Sequence, residues 1–248
     1  MSAPPSGAPV ALITGAARRV GAVIARRLHA EGYCLALHYR SSTDEMLALE
    51  QELEAARPGS VLAIRAELAD PGAHAVLVSS TLARFGRLDA LINNASSFYR
   101  TPIGDTGQDD WDQLFASNAR APFFLSQAAA PHLRATRGCI VNLVDVYAER
   151  PLAEHTVYCM AKAALLMMTL SLAKELGPEV RVNAVAPGAV LWPESGKPSA
   201  EQQTLLDKTT LKRPGRPEDV AEAIAYLLRA EYTSGQVLRV DGGRALNM

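Results

Sequence analysis

The sequence predicts an α/β fold: one doubly wound parallel sheet of about seven strands with helices on both faces. Three observations carry this. Short apolar runs alternate with longer stretches of helical periodicity along the chain. The short runs are apolar nearly throughout, as strands covered on both faces must be. A glycine-bearing turn joins the first run to the first helix. The 248 residues contain no linker, repeat or low-complexity segment, so one domain over 1–248 is expected, with the small, Pro-rich residues 1–8 as a flexible tail.

The elements follow in order. Val10–Thr14 reads as the first strand, and Gly21–Ala30 as a helix with Val23, Ile24, Ala25 and Leu28 at helical spacing before Gly32 stops it. Cys34–Tyr39 is the second strand, Asp44–Ala56 a helix ended by Arg57-Pro58-Gly59, and Val61–Arg65 the third strand. Gly72–Phe85 is a helix started by Asp70-Pro71, and Leu88–Asn93 the fourth strand. Trp111–Ala135 carries helical patterning with a break expected at Pro122. Cys139–Val144 is the fifth strand, His155–Leu176 a long helix closed by Gly177-Pro178, and Val180–Val185 the sixth strand. Pro217–Arg229 is a helix with Pro in its first turn, and Gln236–Val240 the seventh strand. Leu191–Leu206 is the least patterned stretch.

Composition excludes several classes. Apolar residues at 48% fit a soluble globular protein, and a formal net charge of −1 supplies no general attraction to nucleic acid or anionic membrane. No run of 18 apolar residues occurs, so no membrane span is expected. Cys34, Cys139 and Cys159 are odd in number and match no metal-site spacing. Cys34 and Cys139 lie in apolar strands, which predicts buried free thiols and fits a reducing cytoplasm. His29, His74, His132 and His155 show no metal-ligand grouping, so no metal is expected and structural roles are assigned to them.

Candidate chemistry gathers where strands end. Thr14-Gly15-Ala-Ala-Arg18-Arg19-Val20-Gly21 leaves the first strand and opens the first helix. Glycines there let the backbone approach a pyrophosphate, and the helix N-terminus favours its charge. An NAD site usually places an acid at the end of the second strand. Here His38-Tyr39-Arg40-Ser41-Ser42 follows, with no acid until Asp44. Arg40, Arg18 and the serine hydroxyls suit a 2′-phosphate, which points to NADPH; a solvated surface Arg40 is the alternative. Tyr158 and Lys162 stand at i and i+4 on one helix face, where an ammonium is expected to lower the phenol's pKa. Alone, that spacing more often marks a surface pair. Asn93-Asn94-Ala95, Asn118, Asp145 and Pro187-Gly188 add weight, because all fall near strand exits or their following helices, where ligands bind in such a sheet.

Thr-Gly-x-x-x-x-x-Gly, Asn-Asn-Ala, Ser117-Asn118-Ala119, Tyr-x-x-x-Lys and Pro-Gly, in this order, resemble the short-chain dehydrogenase/reductase family, whose fold is Rossmann-type. The match runs to Val240-Asp241-Gly242-Gly243. The resemblance implies Tyr158 as general acid, Lys162 on the nicotinamide ribose, Asn118 holding a relay water and nicotinamide near Pro187 and Gly188. It also implies cofactor contacts at Glu67, Leu68, Asn94, Ala95 and Ser96. Two departures stand out: Arg19 replaces a customary glycine, and Asp145 replaces a customary serine. An ionised Asp would oppose an oxyanion, whereas reduction of a ring C=N needs a proton delivered to nitrogen.

Both departures are similar to pteridine reductases, as are Asn94-Ala95-Ser96-Ser97-Phe98-Tyr99 and Val144-Asp145. That resemblance implies that Phe98 stacks on a pterin against nicotinamide, that Ser96 hydrogen-bonds to it, and that Arg19 reaches both pyrophosphate and pterin; core packing is the alternative for Phe98. Residues 191–206 would form the substrate loop, with Trp192 as a wall or an anchor. Asp145-Val-Tyr147-Ala-Glu149-Arg150 also resembles dihydromonapterin reductases. The expectation is NADPH-dependent reduction of a dihydropterin or dihydrofolate by a cytoplasmic homotetramer built on the long catalytic helix and the last helix. The rivals are a carbonyl or 3-oxoacyl reductase and a non-catalytic NADPH-binding sensor.

Overall fold

The computed structural model describes residues 5–190 and 199–248. The strands are β1 (Val10–Ile13), β2 (Cys34–Tyr39), β3 (Val61–Arg65), β4 (Ala90–Asn93), β5 (Cys139–Leu143), β6 (Arg181–Pro187) and β7 (Val237–Val240). All pair in parallel in the order β3-β2-β1-β4-β5-β6-β7. The order reverses between β1 and β4, so the chain leaves these neighbours toward opposite faces and a crevice opens at their carboxyl ends.

Strand periodicity of two divides the core. Ala11 and Ile13 of β1, Leu35 and Leu37 of β2, and Ala90 and Ile92 of β4 pack in one layer. That layer holds Ile24 and Leu28 of α1 (Arg19–Ala30), Met46 and Leu49 of α2 (Thr43–Ala56), and Ile224 and Leu227 of the final helix, Pro217–Arg229. Leu12, Ala36 and Leu91 point the other way. They meet Leu77 of α3 (Ala73–Phe85), Leu125 and Leu133 of Ala121–Thr136, and Leu172 of Thr156–Leu176. Each such Leu or Ile contributes about 2 kcal/mol over leaving it exposed. Cys34 and Cys139 are buried free thiols, as their strands predicted, and Cys159 is partly exposed.

The expected single helix over 111–135 is instead α4 (Gln108–Phe115), a π-helical turn (Ala116–Arg120) and α5 (Ala121–Thr136). The irregularity precedes Pro122 because proline has no N–H to bond the carbonyl four residues back. The Ala121 amide reaches Ala116 O, widening the turn at Asn118. α6 (Thr156–Leu176) is long and apolar enough to cross a membrane by length and composition alone. It packs on β6 and buries Tyr158, Lys162 and Thr169. Within the stretch expected to lack pattern, α7 (Ser199–Asp207) forms; α8 (Pro217–Arg229) follows.

Candidate active site

The turn after β1 is shaped by missing side chains. Gly15 has φ +63°, and a Cβ there would lie 3.0 Å from Ala95 Cα. At Gly21 a Cβ would come within 2.1 Å of Gly15 O and 2.8 Å of Asn94 Nδ2. Only glycine lets α1 begin this close to the strand exits. Asn94 clasps the turn, donating from Nδ2 to Thr14 O (2.8 Å) and Gly15 O (3.0 Å). Thr14 Oγ1 accepts from the Asn94 and Ala95 amides, each at 3.0 Å. Val20 is partly buried behind this turn, and Ser96 is exposed just beyond it.

Arg19 has φ +53°. A side chain in that left-handed region costs about 1–2 kcal/mol. The backbone therefore retains the geometry of a glycine while carrying a guanidinium at the start of α1. Arg18 and Arg19 are both exposed.

His38, expected among the cofactor contacts, spends both ring nitrogens on bonds within the chain. Its buried ring accepts from the Gly15 amide at Nδ1 (3.1 Å), so Nε2 carries the proton and donates to Ala66 O (3.2 Å). Burial lowers its pKa and keeps it neutral. The side chain braces the glycine turn from below, and both ring nitrogens are used by the scaffold. Beyond it, Tyr39 ends β2 half-buried, while Arg40 and Ser41 are exposed. Arg40 Nη1 lies 3.9 Å from Glu67 Oε2, both well solvated, and Leu68 is buried beside them. A contact this long and wet leaves the guanidinium available to a stronger anion.

The catalytic set is bonded differently from the sequence expectation. Tyr158 donates to Asp145 Oδ2 at 2.7 Å, and the Tyr147 amide donates to Asp145 Oδ1 at 2.9 Å. Lys162 is 2% exposed and donates to Leu143 O at 2.8 Å, its Nζ 5.8 Å from the Tyr158 ring centre. Burial pushes the Lys162 ammonium down to about 8. Burial, then Asp145, holds Tyr158 well above its ordinary phenol range. The expected lowering by Lys162 is overturned because burial dominates and the direct partner is a carboxylate, not the ammonium. Burial also raises the Asp145 carboxyl, against the Tyr147 amide, the Tyr158 hydroxyl and the charges of Lys162 and Arg244.

Phe98 is 44% exposed, so core packing does not explain it. One neighbour is His155, stacked at 4.7 Å and 17°; the other is Tyr158, edge-on at 4.8 Å and 81°. Its loop is tied down where the Thr101 amide donates to Glu154 O and Arg100 pairs with Glu154. Asn118 Nδ2 donates to Ser97 O and Leu114 O, each at 2.9 Å, leaving buried Oδ1 without a partner. At the far side, the Gly188 amide donates to Val240 O, and a Cβ on Gly188 would lie 2.8 Å from Asp241 Cα. Pro187 pairs with Val240 in the sheet. Trp192 lies outside the described residues.

A dinucleotide fits this crevice. Any Cβ at Gly15 or Gly21 would press on Ala95, Asn94 or Gly15 O and force this turn open, and the exposed cations Arg18 and Arg19 flank it. Comparison with known proteins agrees. A family model described as enoyl-(acyl carrier protein) reductase matches residues 15–245. Pteridine reductase 1 of Leishmania tarentolae is 37% identical, over 96% of this chain and 97% of the relative. A Streptomyces violaceoruber protein named as a ketoacyl reductase of granaticin polyketide synthase is also 37% identical, over 96% and 97%. A 3-oxoacyl-acyl-carrier-protein reductase of Staphylococcus aureus is 33% identical, over 94% and 96%.

The chain belongs to the short-chain dehydrogenase/reductase family. It is therefore an oxidoreductase working with a nicotinamide dinucleotide. Within this family fold, sequence reasoning found Tyr158, Lys162, Asn118 and Asp145, and the structure brings Tyr158, Lys162 and Asp145 together around the exit of β5. It did not assign Thr14, whose hydroxyl is the hub of the β1–β4 clasp, although the residue stands in the quoted motif. It also did not assign Arg244, which follows Val-Asp-Gly-Gly with no local pattern to mark it.

Proposed function

We propose that this chain reduces the ring C=N of a 7,8-dihydropterin or dihydrofolate with NADPH, giving the tetrahydro form. The observation that carries this reading is the 2.7 Å hydrogen bond between Tyr158 and Asp145, with the open ring of Phe98 beside it. Overall identity does not favour either substrate class, since a pteridine reductase and a ketoacyl reductase match equally well. The site chemistry does discriminate. A carboxylate against the tyrosine opposes an oxyanion but suits a nitrogen that gains a proton.

Gly15, Gly21, Arg18, Arg19 and Asn94 support pyrophosphate binding, and Arg40 with Ser41 supports recognition of the 2′-phosphate. When bound, NADPH supplies the hydride that reaches the ring carbon. Tyr158 donates its hydroxyl proton to the adjacent ring nitrogen, and a second proton, taken up by Asp145 from solvent, then restores the tyrosine. Tyr158 holds its own proton tightly, so Asp145, raised by burial, is the group that reloads it. Lys162 keeps a positive charge beside the carboxylate during this exchange. Phe98 offers a flat face to the electron-poor heterocycle, and Ser96 a hydrogen-bonding hydroxyl.

The apolar side chains left exposed on α6, Met160 and Met167, and Tyr226 on α8 support association into a homotetramer through these two helices. A cytoplasmic location accords with the buried free thiols. NADPH oxidation with dihydrobiopterin, measured beside a β-keto ester, tests the reading: turnover of the pterin is expected, and turnover of the keto ester alone refutes it.

A further inference from the structure

Arg244 sits in the 3-10 turn Arg244–Leu246 after β7 and is 7% exposed. A buried guanidinium is costly unless its donors are used. The turn is held by Asp241, whose carboxylate accepts from the Gly243 (3.0 Å) and Ala245 (2.8 Å) amides. From there Arg244 reaches two separate segments. Nη1 donates to Leu205 O in α7 at 3.3 Å, and Nη2 donates to the Tyr147 hydroxyl at 2.9 Å. The guanidinium also lies 5.7 Å from the centre of the Tyr147 ring. Tyr147 in turn donates its amide to Asp145 Oδ1, and Asp145 Oδ2 receives Tyr158. One unbroken series of contacts therefore runs from α7 through Arg244, Tyr147 and Asp145 to Tyr158.

We infer that Arg244 is a positioning residue that couples α7 to the proton-handling carboxyl: it clamps Tyr147, through the Tyr147 amide sets the orientation of Asp145, and anchors α7 to the same turn. The inference rests on the proposed role of Asp145 in proton delivery. A fork with several fixed donors can join a backbone carbonyl, a hydroxyl and an aromatic face at once, which a lysine ammonium cannot. The groups facing Asp145 are Tyr147 from its own turn, Tyr158, Cys159 and Lys162 from α6, and Arg244 from the C-terminal turn. Burial raises the carboxyl's proton affinity, and Arg244 is one of two cations that oppose the rise.

The test uses Arg244→Met, Arg244→Lys and Tyr147→Phe in the full chain. Carboxyl infrared titration, with Asp145→Asn as reference, reports the Asp145 proton; hydrogen exchange reports α7; the pH profile of dihydrobiopterin reduction reports the coupled reaction. In Arg244→Met the Asp145 carboxyl and the activity profile move to higher pH, and the amides of α7 exchange about tenfold faster. Arg244→Lys returns the titration toward its original position but leaves α7 fast. Unchanged carboxyl titration and unchanged α7 exchange in a folded Arg244→Met overturn the inference. If that variant does not fold, Arg244→Lys decides by α7 exchange, and Tyr147→Phe, which keeps the ring and loses the hydroxyl, decides by the carboxyl titration. Absence of any pterin turnover by the unaltered protein refutes the proposed function alone, because the infrared and exchange measurements still test the coupling.

Discussion

Replacing Lys162 with Met is expected to silence the enzyme without weakening its fold at pH 7. The ammonium is 2% exposed, and burial moves its pKa from 10.5 to about 8. At pH 7 both the folded and the unfolded chain carry the proton, so the folded state bears the cost of the buried charge. The difference between the two pKa values makes that cost about 3 kcal/mol. As pH rises through 8, the folded protein releases the proton while the unfolded chain keeps it until 10.5. The unfolded state then binds more protons, so stability from this group increases with pH. Integration from pH 7 to 9.5 yields a gain of about 2 kcal/mol, which Lys162→Met lacks. The variant also leaves Leu143 O without its donor, a loss of about 1–3 kcal/mol. At pH 7 these terms leave the variant between equal in stability and about 2 kcal/mol more stable. Urea unfolding of both cofactor-free proteins at pH 7, 8.5 and 9.5, with equal m-values, follows the group against a shared background, and repeating the pair in Asp145→Asn removes the one carboxyl that Lys162 also influences. A stability difference that stays flat, or that shifts toward the variant as pH rises, refutes the argument. Turnover should fall by about 100-fold or more.

Three further perturbations probe the rest of the site. Gly21→Ala drives a Cβ into Gly15 O and should cost about 1–3 kcal/mol while weakening NADPH, seen by thermal melting and fluorescence titration; normal binding would remove the turn from the cofactor site. Arg40→Glu puts a second acid beside Glu67 and should reduce the preference for NADPH over NADH by about tenfold or more; an unchanged ratio of kcat/KM values would exclude a 2′-phosphate contact. Asp145→Ser should lower dihydropterin turnover by about 100-fold and raise turnover of a β-keto ester. It also removes the second largest influence, after burial, holding Tyr158 up, so the tyrosine's limb of the pH profile moves to lower pH; wild-type kinetics on the pterin would sink the proposed relay.

Some of the site was legible because it is local. Tyr158 and Lys162 share a helix face by spacing alone, and both are buried in α6. Gly15 and Gly21 announce a tight turn, and the turn is tight enough to exclude any Cβ. Phe98 was open between core and ligand surface, and its exposure removes the core alternative. Arg19 stood out as a departure from the glycine customary in the family; its φ of +53° reveals that the chain keeps a glycine's conformation with a charged side chain. Pro122 signalled a break, but the widened turn fell earlier, at Asn118, since a proline disturbs the carbonyl before it rather than its own position.

The amino-acid order by itself determined the parallel sheet, the order of its seven strands along the chain, and the glycine cradle, because periodicity and backbone freedom are properties of neighbouring residues. Tertiary structure decided the protonation logic: Tyr158 bonded to Asp145, Lys162 pressed down to about 8, His38 consumed by the scaffold, and Arg244 reaching Tyr147 and Leu205. Those outcomes depend on desolvation and on partners far apart in the chain, and neither quantity exists until the layers close over the crevice.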